Sequence, residues 1–207
     1  MSQKPTRLLL AAIQAIIGWE WLMSGGNKLL SGTFPQGLAE TISGMFKDNP
    51  DSWYVSWLQR FILPQSVLYG YLIEWTEVTI GVILLGGACI LLNQPRRKGQ
   101  AQYRLTLVYS LAAISAALVG AFLTINFHFL AGGWIFPWFS SSSANGEGID
   151  LDALLPPFAL VIILAQGALL AELTEVSWSR RFQWIGQRLV SRKHRSANPQ
   201  PFADSAV

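Results

Sequence analysis

Charge is scarce in this chain. Only 13% of its 207 residues are charged and 51% are hydrophobic, whereas about a quarter of the residues in a soluble domain are charged. Cysteine is scarcer still. Cys89 stands alone, which excludes an intrachain disulfide and any paired-cysteine redox or haem-attachment motif. The two histidines, His128 and His194, are too few and too far apart to suggest a haem or zinc site within one chain. The formal net charge of +3 does not point to nucleic acid, because the basic residues cluster at the ends of apolar runs instead of covering a face. What is present in abundance is apolar sequence suited to lipid.

Four apolar runs stand out: residues 8–30, 67–92, 103–130, and a fourth that starts around 150–156 and ends near 170–172. A membrane-spanning helix needs about 20 such residues. The first run has a basic flank like a signal peptide, but it is too long and lacks a clear small-x-small cleavage site, so it reads as an uncleaved span. The third is rich in Ala and Ser, which suits close helix packing.

Between the first two runs, Leu38, Ile42 and Met45 or Phe46 recur at helical spacing. An Asn49-Pro50-Asp51-Ser52 turn follows, then Trp53, Tyr54, Trp57, Leu58 and Phe61, stopped by Pro64. One or two short helices lying across the membrane surface are expected here, over a pocket. Residues 132–150 read as an aromatic belt followed by a flexible polar loop. Trp178, Phe182, Ile185 and Leu189, interspersed with arginines, predict a basic interfacial helix on anionic lipid.

The expected class is therefore an all-α membrane protein, a four-transmembrane-helix bundle with short interfacial helices in the first outer loop. The expected domains are a four-span unit at 1–175, an amphipathic helix at 176–195 and a disordered tail at 196–207. Lys4 and Arg7 precede the first span, Arg96, Arg97, Lys98 and Arg104 lie between the second and third, and six basic residues follow the fourth. The positive-inside rule then places both termini in the cytoplasm of a cell with this chain in its inner membrane.

Carboxylates at membrane depth are the chemical signal. Glu74 and Glu77 are three apart on one helix face, and Gly70 and Gly81 fall on the same face. An intramembrane ionisable group is expensive and marks a functional site by default; the alternative is a structural pair satisfied by neighbours. In the first run Glu20, Ser24 and Asn27 form one stripe, closed by Lys28, which has the reach to snorkel. Counting inward from Lys28 and from Gln65 at about 1.5 Å per residue puts Glu20 and Glu74 at similar depth, with Glu77 one turn deeper. Asn27, Asn126 and His128 sit above them. One polar site opening outward is expected.

The stretch Gly18-Trp19-Glu20-Trp21-Leu22-Met23-Ser24-Gly25-Gly26-Asn27-Lys28-Leu29 resembles the first-span pattern of the DoxX/DoxD family. Glu77-Val78-Thr79-Ile80-Gly81-Val82-Ile83-Leu84-Leu85-Gly86 is similar to its second-span pattern, and Asn126-Phe127-His128-Phe129-Leu130-Ala131-Gly132 to a third-span ending seen in some members, with one residue fewer before Ala. The resemblance covers about residues 7–170. It implies a four-helix membrane bundle and, through the DoxD subunit, thiosulfate:quinone oxidoreduction: electrons pass from thiosulfate to membrane quinone and tetrathionate forms.

On that reading Glu20, Glu74 and Glu77 are the catalytic groups, relaying protons to the quinone, and Asn27, Lys28, Asn126 and His128 contact an anion or head group. Quinone is the expected electron acceptor, with no haem and no metal. The expected partners are the lipid bilayer and other membrane or periplasmic subunits, not nucleic acid. The competing expectation is a non-catalytic membrane subunit that docks and stabilises a larger complex. A small transporter fits less well, since no inverted halves are visible.

Overall fold

The computed structural model describes residues 4–47, 49, 51–93, 100–131 and 155–172, and every element among them is helical. In chain order these are α1 (Lys4–Ser31), α2 (Phe34–Met45), α3 (Ser52–Trp57), α4 (Ser66–Leu92), α5 (Gln100–Leu130) and α6 (Leu155–Glu172). Among the described residues, four stretches are helical, long and apolar enough to cross a membrane: Arg7–Ser31, Ser52–Leu92, Tyr103–Leu130 and Leu155–Glu172. The expected loop at 132–150, the amphipathic helix at 176–195 and the tail at 196–207 lie outside the described residues. The chain divides into two compact units, Met1–Gly167 and Ala168–Val207; the architecture below is that of the first.

The stretch Ser52–Leu92 has 41 residues, about 60 Å at helical rise, twice what a bilayer core requires. It does not run as one straight α-helix. A π turn at Leu58–Ile62 and a 3-10 turn at Leu63–Gln65 separate α3 from α4, and Gln65 leaves helical geometry at φ −123°, ψ 27°. Pro64 lies within that break, where its missing N–H and ring disfavour a continuous α ladder.

Helices α1 and α4 form the tightest contact, and small residues make it possible. A Cβ on Gly25 would fall 2.7 Å from the Val78 nitrogen and 2.8 Å from Glu77 Cβ; one on Gly81 would fall 2.6 Å from the Leu22 nitrogen. Only hydrogen fits at either place, so the two backbones approach closely. Gly18 faces Leu84 while Gly25 faces Val78, so the pair is antiparallel. Ile17, Trp21, Ile80, Leu84, Ala113, Ala117, Ala159 and Ile162 fill the interior from α1, α4, α5 and α6.

A second, smaller core closes the Lys28 end. Gly32, at φ +64°, turns the chain from α1 into α2, a conformation that favours glycine. Pro35 of α2 then packs directly on Gly70. Leu38, Ile42, Tyr54 and Leu58 bury themselves against Ile73, Phe129 and Leu130. Asn49 donates from Nδ2 to the carbonyls of Phe129 (2.7 Å) and Leu130 (3.1 Å), and the Tyr54 hydroxyl donates to the Asn126 carbonyl at 3.1 Å. The Asn49 bonds satisfy carbonyls of the last turn of α5, which lack intrahelical partners, and the Tyr54 bond adds a second donor to a carbonyl one turn earlier.

Large apolar side chains cover the outside: Ile16 and Trp19 on α1, Leu72, Trp75 and Val82 on α4, Val108, Leu118 and Phe122 on α5, and Leu164 on α6 are all exposed. Such a surface in water would be an association liability. Around helices of spanning length it suits lipid.

Candidate functional site

At the Lys28 end the bundle encloses a cavity of about 330 Å³ lined by Glu20, Trp21, Ser24, Lys28, Glu77, Phe127 and Leu155. Its wall comes from α1, α4, α5 and α6. On α1 the residues Glu20, Ser24 and Lys28 are four apart, so one helical stripe delivers all three. Trp21 supplies the floor, buried to 5% exposure.

The chemistry centres on Glu77. Its side chain is fully buried, while the side chain of Lys28 keeps 23% exposure. Lys28 Nζ pairs with Glu77 Oε1 and donates to Oε2 at 2.6 Å. Ser24 Oγ donates to Oε2 at 3.0 Å, and Lys28 Nζ reaches Ser24 Oγ at 3.2 Å. The ammonium also lies 5.1 Å from the Phe34 ring centre and 5.7 Å from that of Phe127. Two aromatic faces and a carboxylate therefore surround one cation, each attracting it. Lys28 does not simply snorkel from the end of its span: it turns back to α4, because a buried carboxylate needs a charged partner more than the ammonium needs water.

The register of α1 on α4 sets the depths. With Gly18 opposite Leu84 and Gly25 opposite Val78, Glu20 lies level with Val82. Glu74 is about eight residues, or about 12 Å, nearer the Lys28 end. The expected match in depth between Glu20 and Glu74 therefore does not hold. The count assumed that Gln65 and Lys28 were level. In the fold Lys28 faces the stretch around Glu74, about two and a half turns into α4.

Glu77 and Glu20 meet the same cavity, Glu77 buried beneath it and Glu20 exposed at its margin. Glu74 is buried at 3% exposure, one turn from Glu77 on the same face, but it is not part of the cavity wall. Its Oε2 has no hydrogen-bond partner among the described residues. Asn27 is exposed on the neighbouring face of α1. Asn126 accepts from Tyr54 at 3.3 Å and donates to the Phe122 carbonyl at 2.7 Å, and so helps tie α3 to α5. His128 is half-buried in the last turn of α5, outside the cavity wall.

Ser24, Phe34, Phe127 and Trp21 complete the site. Ser24 was visible as a member of the Glu20 stripe. Phe127 is the residue between Asn126 and His128 that faces the cavity, a choice of helix face that spacing within a single span does not make. No group of three or more His, Cys, Asp or Glu among the described residues is arranged to hold a metal ion. Comparison of the chain with protein-family models, with characterised proteins and with solved structures finds no match.

Proposed function

We propose that this chain is an integral membrane subunit of a quinone-linked oxidoreductase of the DoxX/DoxD kind, and that the Lys28-end cavity receives the quinone head group. One observation carries the reading: a charged pair, a second carboxylate (Glu20) and aromatic walls converge in a cavity of about 330 Å³ between apolar helices. That volume falls within the range of small-molecule sites, about 300–1,000 Å³.

Quinone reduction needs two electrons and two protons. Ser24 and Lys28 are hydrogen-bond donors placed for a quinone oxygen, and Lys28 supplies positive charge where the reduced oxygen becomes negative. Glu20, on the cavity margin about 12 Å deeper than Glu74, passes protons to the quinone through the cavity. Glu77 holds Lys28 in place and shares its proton inventory, with Glu74 one turn further along α4 as a relay. The electrons come from thiosulfate: two thiosulfate anions join through a new S–S bond to give tetrathionate, and the two electrons released reduce one quinone to quinol with uptake of two protons. The cavity opens outward, both termini are cytoplasmic, and the membrane is the cell's inner membrane. The short helices α2 and α3 lie at its outer surface, and a partner subunit on that side contacts them.

A second reading is a non-catalytic subunit that docks and stabilises a larger complex. It is favoured by the occupancy of Glu77, whose two oxygens are both taken by Lys28 and Ser24. The experiment is reduction of a short-chain quinone by the purified protein with thiosulfate, together with photolabelling by an azidoquinone. Thiosulfate-dependent turnover with label on the cavity stripe supports the first reading. Tight co-purification with partners, no turnover and no label on that stripe supports the second.

A further inference from the structure

The interior holds a second polar layer, distinct from the cavity. One turn toward the Lys4 end from the apolar residues Ile17, Leu84, Ala113 and Ile162, the same helix faces carry Gln14, Gly87, Ser110 and Gln166. Gln14 is 0% exposed, Gln166 2% and Ser110 3%. Gln14 reaches across to α4, its Oε1 lying 3.3 Å from where a Cβ on Gly87 would be. The absence of a side chain at Gly87 leaves it that space.

Three polar atoms in this layer have no hydrogen-bond partner among the described residues: Gln14 Nε2, Gln14 Oε1 and Gln166 Oε1. Buried amide groups are almost always paired. A glutamine in a fully apolar layer would be better replaced by leucine, and here two helices each contribute one at the same level.

The donor and acceptor count identifies the ligand. The orphans comprise an N–H donor and carbonyl acceptors, so a cation would satisfy only the oxygens and an anion only the nitrogen. Interchanging the oxygen and nitrogen of Gln14 changes nothing, since both are orphaned. Water donates and accepts, and buried water characteristically makes about three hydrogen bonds to such groups. We propose that Gln14 and Gln166 build an internal water-binding site in the membrane-spanning core. It lies about 9 Å along the axis from Glu20, six residues away at helical rise. Between the two, Ile17, Trp21, Leu84, Ala117 and Ile162 leave a void of only about 10 Å³, apolar and therefore dry.

Radiolytic hydroxyl-radical footprinting of the full chain in nanodiscs tests this, because radicals formed from bound water oxidise adjacent side chains. The reporters are Leu10 and Leu91, buried at 6% and 7% one turn beyond the layer; the dry reference is Leu38, buried at 5% in the α2 core. In the wild type Leu10 and Leu91 should oxidise measurably faster than the similarly buried Leu38, because water bound at the orphaned amides supplies radicals beside them. In Gln14→Leu/Gln166→Leu they should fall to the Leu38 rate; the single Gln14→Leu variant serves if the double one does not fold. Wild-type rates equal to that of Leu38, or fast rates unchanged in the variants, would overturn the proposal. Neither result depends on quinone turnover.

Discussion

Replacing Lys28 by Met separates the energetics of the pair from its chemistry. Glu77 is fully buried and Lys28 covers it with 23% of its own side chain exposed. Removing one partner from a buried ion pair costs about 3–5 kcal/mol, because the other charge is left uncompensated. The Ser24 hydroxyl still reaches Oε2, so Lys28→Met should fall near the lower end, about 3 kcal/mol. For a chain of this length each kcal/mol moves the melting temperature by about 2–4 °C, giving a fall of about 6–12 °C. Glu77→Gln should cost less, about 1 kcal/mol, since an amide oxygen still accepts a hydrogen bond and the partly exposed ammonium can reorient. Lys28→Met/Glu77→Leu should recover most of the loss, because an apolar pair of similar volume often replaces a buried ion pair without penalty. The assay is thermal melting of the four proteins in one detergent. Equal small losses for both single variants, or an additive loss in the double one, would refute the reasoning.

Four further outcomes are expected. Gly25→Ala should destabilise by about 1–3 kcal/mol through overpacking against the α4 backbone, whereas Gly26→Ala, with nothing within 4 Å of the new Cβ, should be neutral or stabilising by up to about 1 kcal/mol; melting curves of the two compare them directly. Tyr54→Phe and Asn49→Ala each remove bonds to the end of α5 and should cost about 0.5–1.5 kcal/mol by denaturant titration. Cysteines at Asn93 and Ala131, the turns that follow α4 and α5, should label from opposite sides of the membrane in a Cys89→Ser background; labelling of both from one side would contradict the four-span topology. Truncation after Glu175 should weaken membrane or partner association while the melting temperature of the bundle holds; loss of the folded protein would place the missing segment in the core.

The spans were legible because their signal is additive. Some twenty apolar residues in a row announce a helix whatever its neighbours do, and α1, α4, α5 and α6 lie where the runs predicted. The glycine face of α4 was legible for a similar reason: Gly70 and Gly81 share a face with two carboxylates, and both meet another helix at backbone distance. Depth was not, because it depends on how one helix slides along another. The near contacts at Gly18, Gly25 and Gly81 set that slide, and no count from the ends of two runs contains it. The partnership of Lys28 with Glu77 follows from the slide and was hidden with it. Asn126 illustrates a second limit. A polar residue at the end of a span looks the same in sequence whatever it bonds, and the bond from Tyr54 to Asn126 was not visible there.

The cavity as a proton-coupled quinone site is tested most directly by the rate of thiosulfate-dependent quinone reduction in Glu20→Gln, Glu74→Gln and Glu77→Gln, measured beside their melting temperatures. Removing an acid–base group costs about 10²–10⁴-fold in rate. Glu20→Gln and Glu77→Gln should lose at least about tenfold, the lower bound expected where a neighbouring carboxylate shares the proton, while melting within a few degrees of wild type. Unchanged turnover in all three variants would contradict the catalytic reading and leave these carboxylates as structural ties between helices.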